Sequence, residues 1–304
     1  MADSDGDVID NQLNHDDLQQ AVGRLAELNA NHTRATEAVP EIVDLVPPEL
    51  DCDFAAVEAY SGKAALSAEI CELGLETLAG VAADRPAAVA PQVYVVAAAL
   101  AGGPSTFVRQ SAANTLRLIA EYDADPVVGV LPTVVRAVNN PDWEVLRHCL
   151  SVLGECADAV LENPDTVKTL APRLSDENWQ VRVEAARCIW HVAETDPTAV
   201  QVTQSALLDC LGDDEPDVRR VAGNALAATA EAEFDHIHDA VRERLSGGDT
   251  PKERAGALHY AHGLCTRYPD RTVDRRSARV HLRSERARPE HRRGRARNVC
   301  PTAP

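Results

Sequence analysis

Apolar side chains return along this chain with two superposed periods. Within each of five segments they recur every four residues, and the segments themselves recur every 36 to 38 residues, starting at Ile70, Val108, Val145, Val181 and Val218. Four residues after each start stands a small side chain (Gly74, Ala112, Cys149, Ala185, Ala222) and eight after it a large apolar one (Leu78, Leu116, Leu153, Ile189, Leu226). Twelve after it stands alanine (Ala82, Ala120, Ala157, Ala193, Ala230). A spacing of four holds these side chains on one stripe of an α-helix. A stripe that returns at a fixed interval is buried only by stacking on the next copy, so the pattern predicts an all-α solenoid of stacked helix pairs.

The second helix of each pair is predicted to start at Asp84-Arg85-Pro86, Asp125-Pro126, Asn163-Pro164 and Asp196-Pro197. Proline is tolerated at a first helical position, and the preceding Asp or Asn can cap. Polar turns at 101–105, 139–142, 175–178, 212–216 and 247–251 separate the copies, supplying helix stops and caps. Pro251–Arg267 reads as the first helix of a sixth copy, with no apolar periodic segment after it. The predicted organisation is a disordered acidic N-terminus over 1–12, an N-terminal helical cap over 13–63, an array of about six repeats over 64–267 and a disordered arginine-rich tail over 268–304. Within the cap, Asp16–Asn31, Thr36–Val46 and Phe54–Tyr60 read as helices.

The string Asp176-x-x-x-x-Val181-Arg182-x-x-Ala185-x-x-x-Ile189-x-x-x-Ala193 returns as Asp213-x-x-x-x-Val218-Arg219-x-x-Ala222-x-x-x-Leu226-x-x-x-Ala230. It resembles the HEAT repeat, including the bilin-lyase-like subtype, over roughly residues 64 to 267. The resemblance implies an α-α superhelix and a structural ladder in which Arg109, Arg182, Arg219 and Arg254 meet turn carboxylates such as Asp176 and Asp213. The third copy departs from it, with Asn140 for the acid and Leu146 for the arginine, which leaves room for a local gap or bend there. In HEAT stacks the second helices line the concave surface. Carried over, this makes Gln92, Arg136, Lys168, Arg173, Gln201, Gln204, His238 and Arg242 the candidate contacts for a protein partner. The family covers adaptors, transport receptors, chromosome-organising subunits and a few enzymes, so the resemblance says little about activity.

Charge narrows the partners. The 304 residues carry 30 basic against 48 acidic side chains, a net charge of −18. Eleven of the basic residues are arginines of 271–304, so residues 1–270 hold 19 basic and 45 acidic groups, with only three lysines in the chain. Such a surface disfavours phosphate backbones and anionic lipid. An acidic, lysine-poor, Ala- and Val-rich composition is that of a salt-adapted prokaryotic cytoplasm, where screening relieves the self-repulsion. The eight cysteines form no C-x-x-C pair, and Cys149 and Cys188 fall on apolar helix faces, so buried free thiols are expected. The first residues lack a basic and an apolar signal region, and the longest apolar run is too short to span a bilayer.

The arginine-rich segment has two readings. It is a basic arm for nucleic acid, or the product of a shifted reading frame near Pro269, which the missing second helix of the sixth copy favours. Trp143 and Trp179 stand at equivalent positions and either anchor a peptide or fill the seam between copies, the seam being the favoured reading. His236 and His238 at the start of one helix, with His259 and His262 on the next, have metal-binding chemistry but poor spacing. None of the ten histidines is followed by Glu, which argues against an iron-dependent HEAT hydroxylase, and no phosphate loop, nucleophile elbow or H-E-x-x-H is present. The expectation is a non-catalytic scaffold for a protein partner, with no cofactor. A lyase-like HEAT enzyme or accessory is the alternative, and nucleic-acid binding through the tail a second one.

Overall fold

The computed structural model describes residues 15–46, 63–247 and 250–268, and every regular element in it is helical. The cap consists of α1 (His15–Asn29), α2 (His32–Glu37) and α3 (Val39–Leu45). The array runs through α4 (Lys63–Asp84), α5 (Pro86–Val89), α6 (Val93–Gly102), α7 (Thr106–Tyr122), α8 (Asp125–Val128), α9 (Leu131–Ala137) and α10 (Trp143–Glu155). It continues through α11 (Ala157–Leu161), α12 (Pro164–Leu170), α13 (Trp179–Thr195), α14 (Gln204–Cys210), α15 (Pro216–Gly247) and α16 (Pro251–Arg267). The expected segments 1–12, Phe54–Tyr60 and 271–304 lie outside the described residues.

The long helices α1, α4, α7, α10, α13, α15 and α16 pack each against the next, in chain order, as one continuous layer. The repeat columns form its seam. Val108, Val145, Val181 and Val218 are fully buried, as are Ala112, Ala185 and Ala222, and Leu78, Leu116, Leu153, Ile189 and Leu226 below them. The caps are those the turns supply: Ser105 accepts from the N–H of Val108, Asp142 from Glu144 and Val145, Asn178 from Gln180, and Thr250 from Glu253. Five described cysteines (Cys71, Cys149, Cys156, Cys188, Cys210) are free and buried, and Cys265 is free and exposed.

Three features differ from the sequence expectation. The second helices are broken into short pieces, because three of them carry a second proline. Pro91 and Pro172 fall in 3₁₀ turns and Pro132 opens α9; each removes a backbone donor and ends the helix before it. In the fourth copy Asp196 accepts from both the N–H and the hydroxyl of Thr198, a local bond that competes with helix, and residues 197–200 form a turn. The third long helix stops early at Glu155, so Ala157 opens α11 instead of closing α10.

The fifth copy departs most. No proline or glycine interrupts residues 224–246, and α15 continues unbroken for 32 residues. Straight, it would hold its ends about 48 Å apart. Yet Lys252 just after it pairs with Asp214 just before it, so α15 is not straight. His236 and His238 lie within this helix and do not begin a helix of their own. α16 packs tightly on the end of α14 and on α15: a Cβ added at Gly256 would stand 2.2 Å from the Leu211 carbonyl oxygen, and one at Gly223 2.7 Å from the Tyr260 nitrogen.

Arg182 makes a complete rung of the ladder. Arg182 donates from Nε and Nη2 to both carboxylate oxygens of Asp213, at 2.7 and 2.8 Å, and from Nη1 to the carbonyls of Asp176 and Glu177. Arg219 and Arg109 keep the bond to their own turns, at the carbonyls of Asp213 and Gly103. The predicted gap is present: with Leu146 in the arginine column, Asp176 is met instead by Arg173 at 3.8 Å, and Gln110 donates to Asp142 in place of a rung from Arg109.

Four stability outcomes are expected. Gly256→Ala forces backbone apart and lowers the unfolding free energy by about 1–3 kcal/mol, whereas Gly23→Ala, on an exposed helical face with nothing within 4 Å, raises it by about 0.5–1 kcal/mol; denaturant titration reads both. Arg182→Ala strands the enclosed Asp213 carboxylate, whose side chain is 11% exposed, and costs about 1.5–3 kcal/mol. Lys168→Ala, breaking a pair exposed at 64% and 83%, changes stability by no more than about 0.5 kcal/mol.

Candidate binding groove

Stacking copies in register aligns their polar columns as well as their apolar ones. Across α7, α10 and α13 this makes a groove of about 570 Å³, lined by Gln110, Ser111, Asn114, Arg117 and Glu121, by Arg147, His148 and Ser151, and by Glu184 and Arg187. The residues stand in matching repeat positions: Ser111, His148 and Glu184 three after their repeat valines, and Asn114, Ser151 and Arg187 six after.

Its electrostatics are uneven. Arg117 donates to Glu121 at 2.5 Å and to Asn114 at 2.8 Å, and Arg187 to Glu184 at 3.2 Å. Arg147 has no carboxylate partner among the described residues. Its guanidinium lies over the Trp143 ring, 5.9 Å from the centroid, and its Nη2 meets His148 Nε2 at 3.3 Å. An arginine N–H can only donate, so Nε2 accepts and the imidazole proton sits on Nδ1. Arg147 Nε, His148 Nδ1 and Glu184 Oε2 are all enclosed without a hydrogen-bond partner. Burial, reinforced by Arg147 and Arg117, drives His148 down to about 3. Burial also raises the Glu184 carboxyl, against the pull of Arg187, Arg147 and Arg117. The groove is thus a small cationic basin in an acidic chain.

The partner contacts expected from sequence lie outside the lining of this groove. Gln92 is half-buried in a 3₁₀ turn, and Gln201 and Arg242 are exposed. Arg136 folds back on Pro132 and Thr133 of its own helix, and Lys168 pairs with Asp165 at 2.7 Å. Arg173 bridges to Asn139 of the preceding copy at 2.9 Å. His238 is half-buried on α15. Gln204 is a correction: it is 8% exposed and its amide nitrogen is enclosed, because α14 starts later than expected and turns it onto the stack. Trp143 packs half-buried against the core, whereas Trp179 is 40% exposed. Among the described residues no three His, Cys, Asp or Glu side chains converge as metal donors. Burial pushes the Cys149, Cys156 and Cys210 thiols up to about 12, which removes them as nucleophiles at neutral pH.

The groove was missed because polar residues on a repeat helix read as solvated. A signal was present: the column three after the repeat start is apolar at Leu73 and Val221 in the flanking copies but polar in the three copies between.

A family model described as HEAT repeats matches residues 131–227 and again 167–258, which supports a HEAT-repeat assignment for the array. Among solved structures, a computationally designed armadillo repeat protein for modular peptide recognition is 15% identical with a TM-score of 0.54, over 74% of this chain and 99% of that one. The archaeal HEAT-like repeats protein from Thermococcus onnurineus NA1 is 14% identical with a TM-score of 0.53, over 84% and 99%. Kap121p bound to Nup53p is 16% identical with a TM-score of 0.51, over 82% of this chain but 27% of that one. These likenesses establish the fold, a HEAT-like helical solenoid. No curated protein matches the chain. No described helix is long and apolar enough to cross a membrane.

His148 is expected to stay a neutral, Nδ1-protonated imidazole at pH 5, read from its ¹⁵N shifts; an imidazolium signal there would contradict the burial argument. The stability sign follows. Unfolded, the ring takes a proton below pH 6.5, while folded it does not until about 3. The folded state therefore loses stability as pH falls through that window, and His148→Gln shows a shallower loss.

Proposed function

We propose that this HEAT-like solenoid is a non-catalytic scaffold that binds a protein partner, or supports assembly of a complex, in a salt-adapted cytoplasm. The observation that carries this reading is the groove spanning three consecutive copies of the long-helix layer: an extended surface, ligand-sized at about 570 Å³, suits a polypeptide running across the stack. The designed armadillo protein, made for modular peptide recognition, and the Nup53p-bound Kap121p point the same way by analogy of fold. The acidic, lysine-poor composition supports the setting.

General acid–base catalysis by the groove's histidine would need a ring tuned near neutrality. The one histidine of the groove is instead held at about 3, and Arg117 and Arg187 are already paired with carboxylates. A partner is therefore expected on the long helices. The test is purification of the chain at high salt with whatever accompanies it, followed by hydrogen exchange of the complex. A partner in fixed ratio that protects α7, α10 and α13 is the expected result. Protection over Gln92, Arg136, Lys168, Arg173, Gln201 and Arg242 would move the surface to the short segments, and isolation with turnover of a small molecule would replace the scaffold with an enzyme.

A further inference from the structure

We propose that the groove across α7, α10 and α13 recognises a carboxylate borne by the polypeptide partner, with Arg147 as the residue that takes it. This rests on the scaffold reading above and adds the chemistry of the ligand.

Three arginines enter the groove, and two of them are neutralised within it. Arg117 is bound by Glu121 and Asn114, and Arg187 by Glu184. Arg147 meets the imidazole of His148 and the Trp143 ring and has no carboxylate hydrogen-bonded to it among the described residues. A guanidinium carries donors and no acceptor, and of its nitrogens Nε is enclosed without a partner. The side chain lines the groove, where an anionic ligand supplies the acceptors that His148 alone does not.

Geometry favours a carboxylate. The planar guanidinium matches a carboxylate through two parallel N–H···O bonds, and the cation–π contact with Trp143 restricts where it can go before any ligand arrives. The unpaired acceptor of the groove, Glu184 Oε2, is enclosed. Long-range repulsion from the net charge of −18 is screened beyond about 8–10 Å at ordinary ionic strength, so the local cation decides whether an acidic side chain docks. The groove crosses three copies, far more room than a lone inorganic anion fills, which argues for an acidic residue within an extended segment.

The experiment is selection of random linear peptides on the purified full chain. Wild type, Arg147→Gln and Arg117→Gln are compared, each checked for native helicity by circular dichroism, with inorganic phosphate and citrate as free-anion probes. Expected are binders enriched in Asp or Glu at one position, whose affinity falls roughly tenfold or more in Arg147→Gln, less than threefold in Arg117→Gln, and markedly on changing the acid to its amide. Peptides that bind without an acid preference, or that bind Arg147→Gln unchanged, overturn this inference and leave the scaffold reading intact. Binding of phosphate or citrate alone, dependent on Arg147, overturns the polypeptide ligand and the scaffold reading together. Absence of any binding also overturns both.

Discussion

Everything in this molecule depends on how closely neighbouring long helices approach. The small-residue column Gly74, Ala112, Cys149, Ala185 and Ala222 is buried throughout, and a Cβ added at Gly154 of α10 would stand 3.3 Å from the Cys188 backbone of α13. Close approach lets the valines, leucines and isoleucines of the repeat lose their water. No copy does this alone, so the stack is stable only as an array. The limit of the approach is set by backbone at Gly256 and Gly223, where α16 lies against Leu211 and α15 with no room for a Cβ.

The same register produces the groove. Once copies are fixed one above another, every position of the repeat becomes a column, and a column that is polar in three adjacent copies becomes a polar strip. Ser111, His148 and Glu184 owe their proximity to packing on the opposite side of their helices. Enclosure then changes their chemistry: burial, with two arginines beside it, keeps the imidazole neutral down to about 3, and Arg147 is left beside it without a carboxylate. A polar groove thus arises from the geometry that buries the core, without loops or insertions.

The long helices, their caps and their seam were legible in the sequence because each rests on a short-range rule: a four-residue period, an Asx or Ser/Thr cap, a polar turn. The ladder gap at Asn140 and Leu146 was legible for the same reason. The breaks in the second helices are written in Pro91, Pro132 and Pro172, each hidden behind a first proline that is itself a sound helix start. The continuity of α15 is written in the lack of punctuation after Ala230, but its departure from a straight course is not, because that depends on what α16 and Asp214 offer in three dimensions. The site itself was hardest to see. Charged residues on a helix are ordinarily solvated, and only stacking shows that Arg147, His148 and Glu184 share one enclosure, or that Gln204 faces inward.

The most direct test of the account is the structure of the full chain bound to a polypeptide partner. It predicts an extended segment lying across α7, α10 and α13, with one carboxylate about 2.7–2.9 Å from the terminal nitrogens of Arg147. A partner seated on the short-segment layer, with Arg147 still facing only His148, would contradict it.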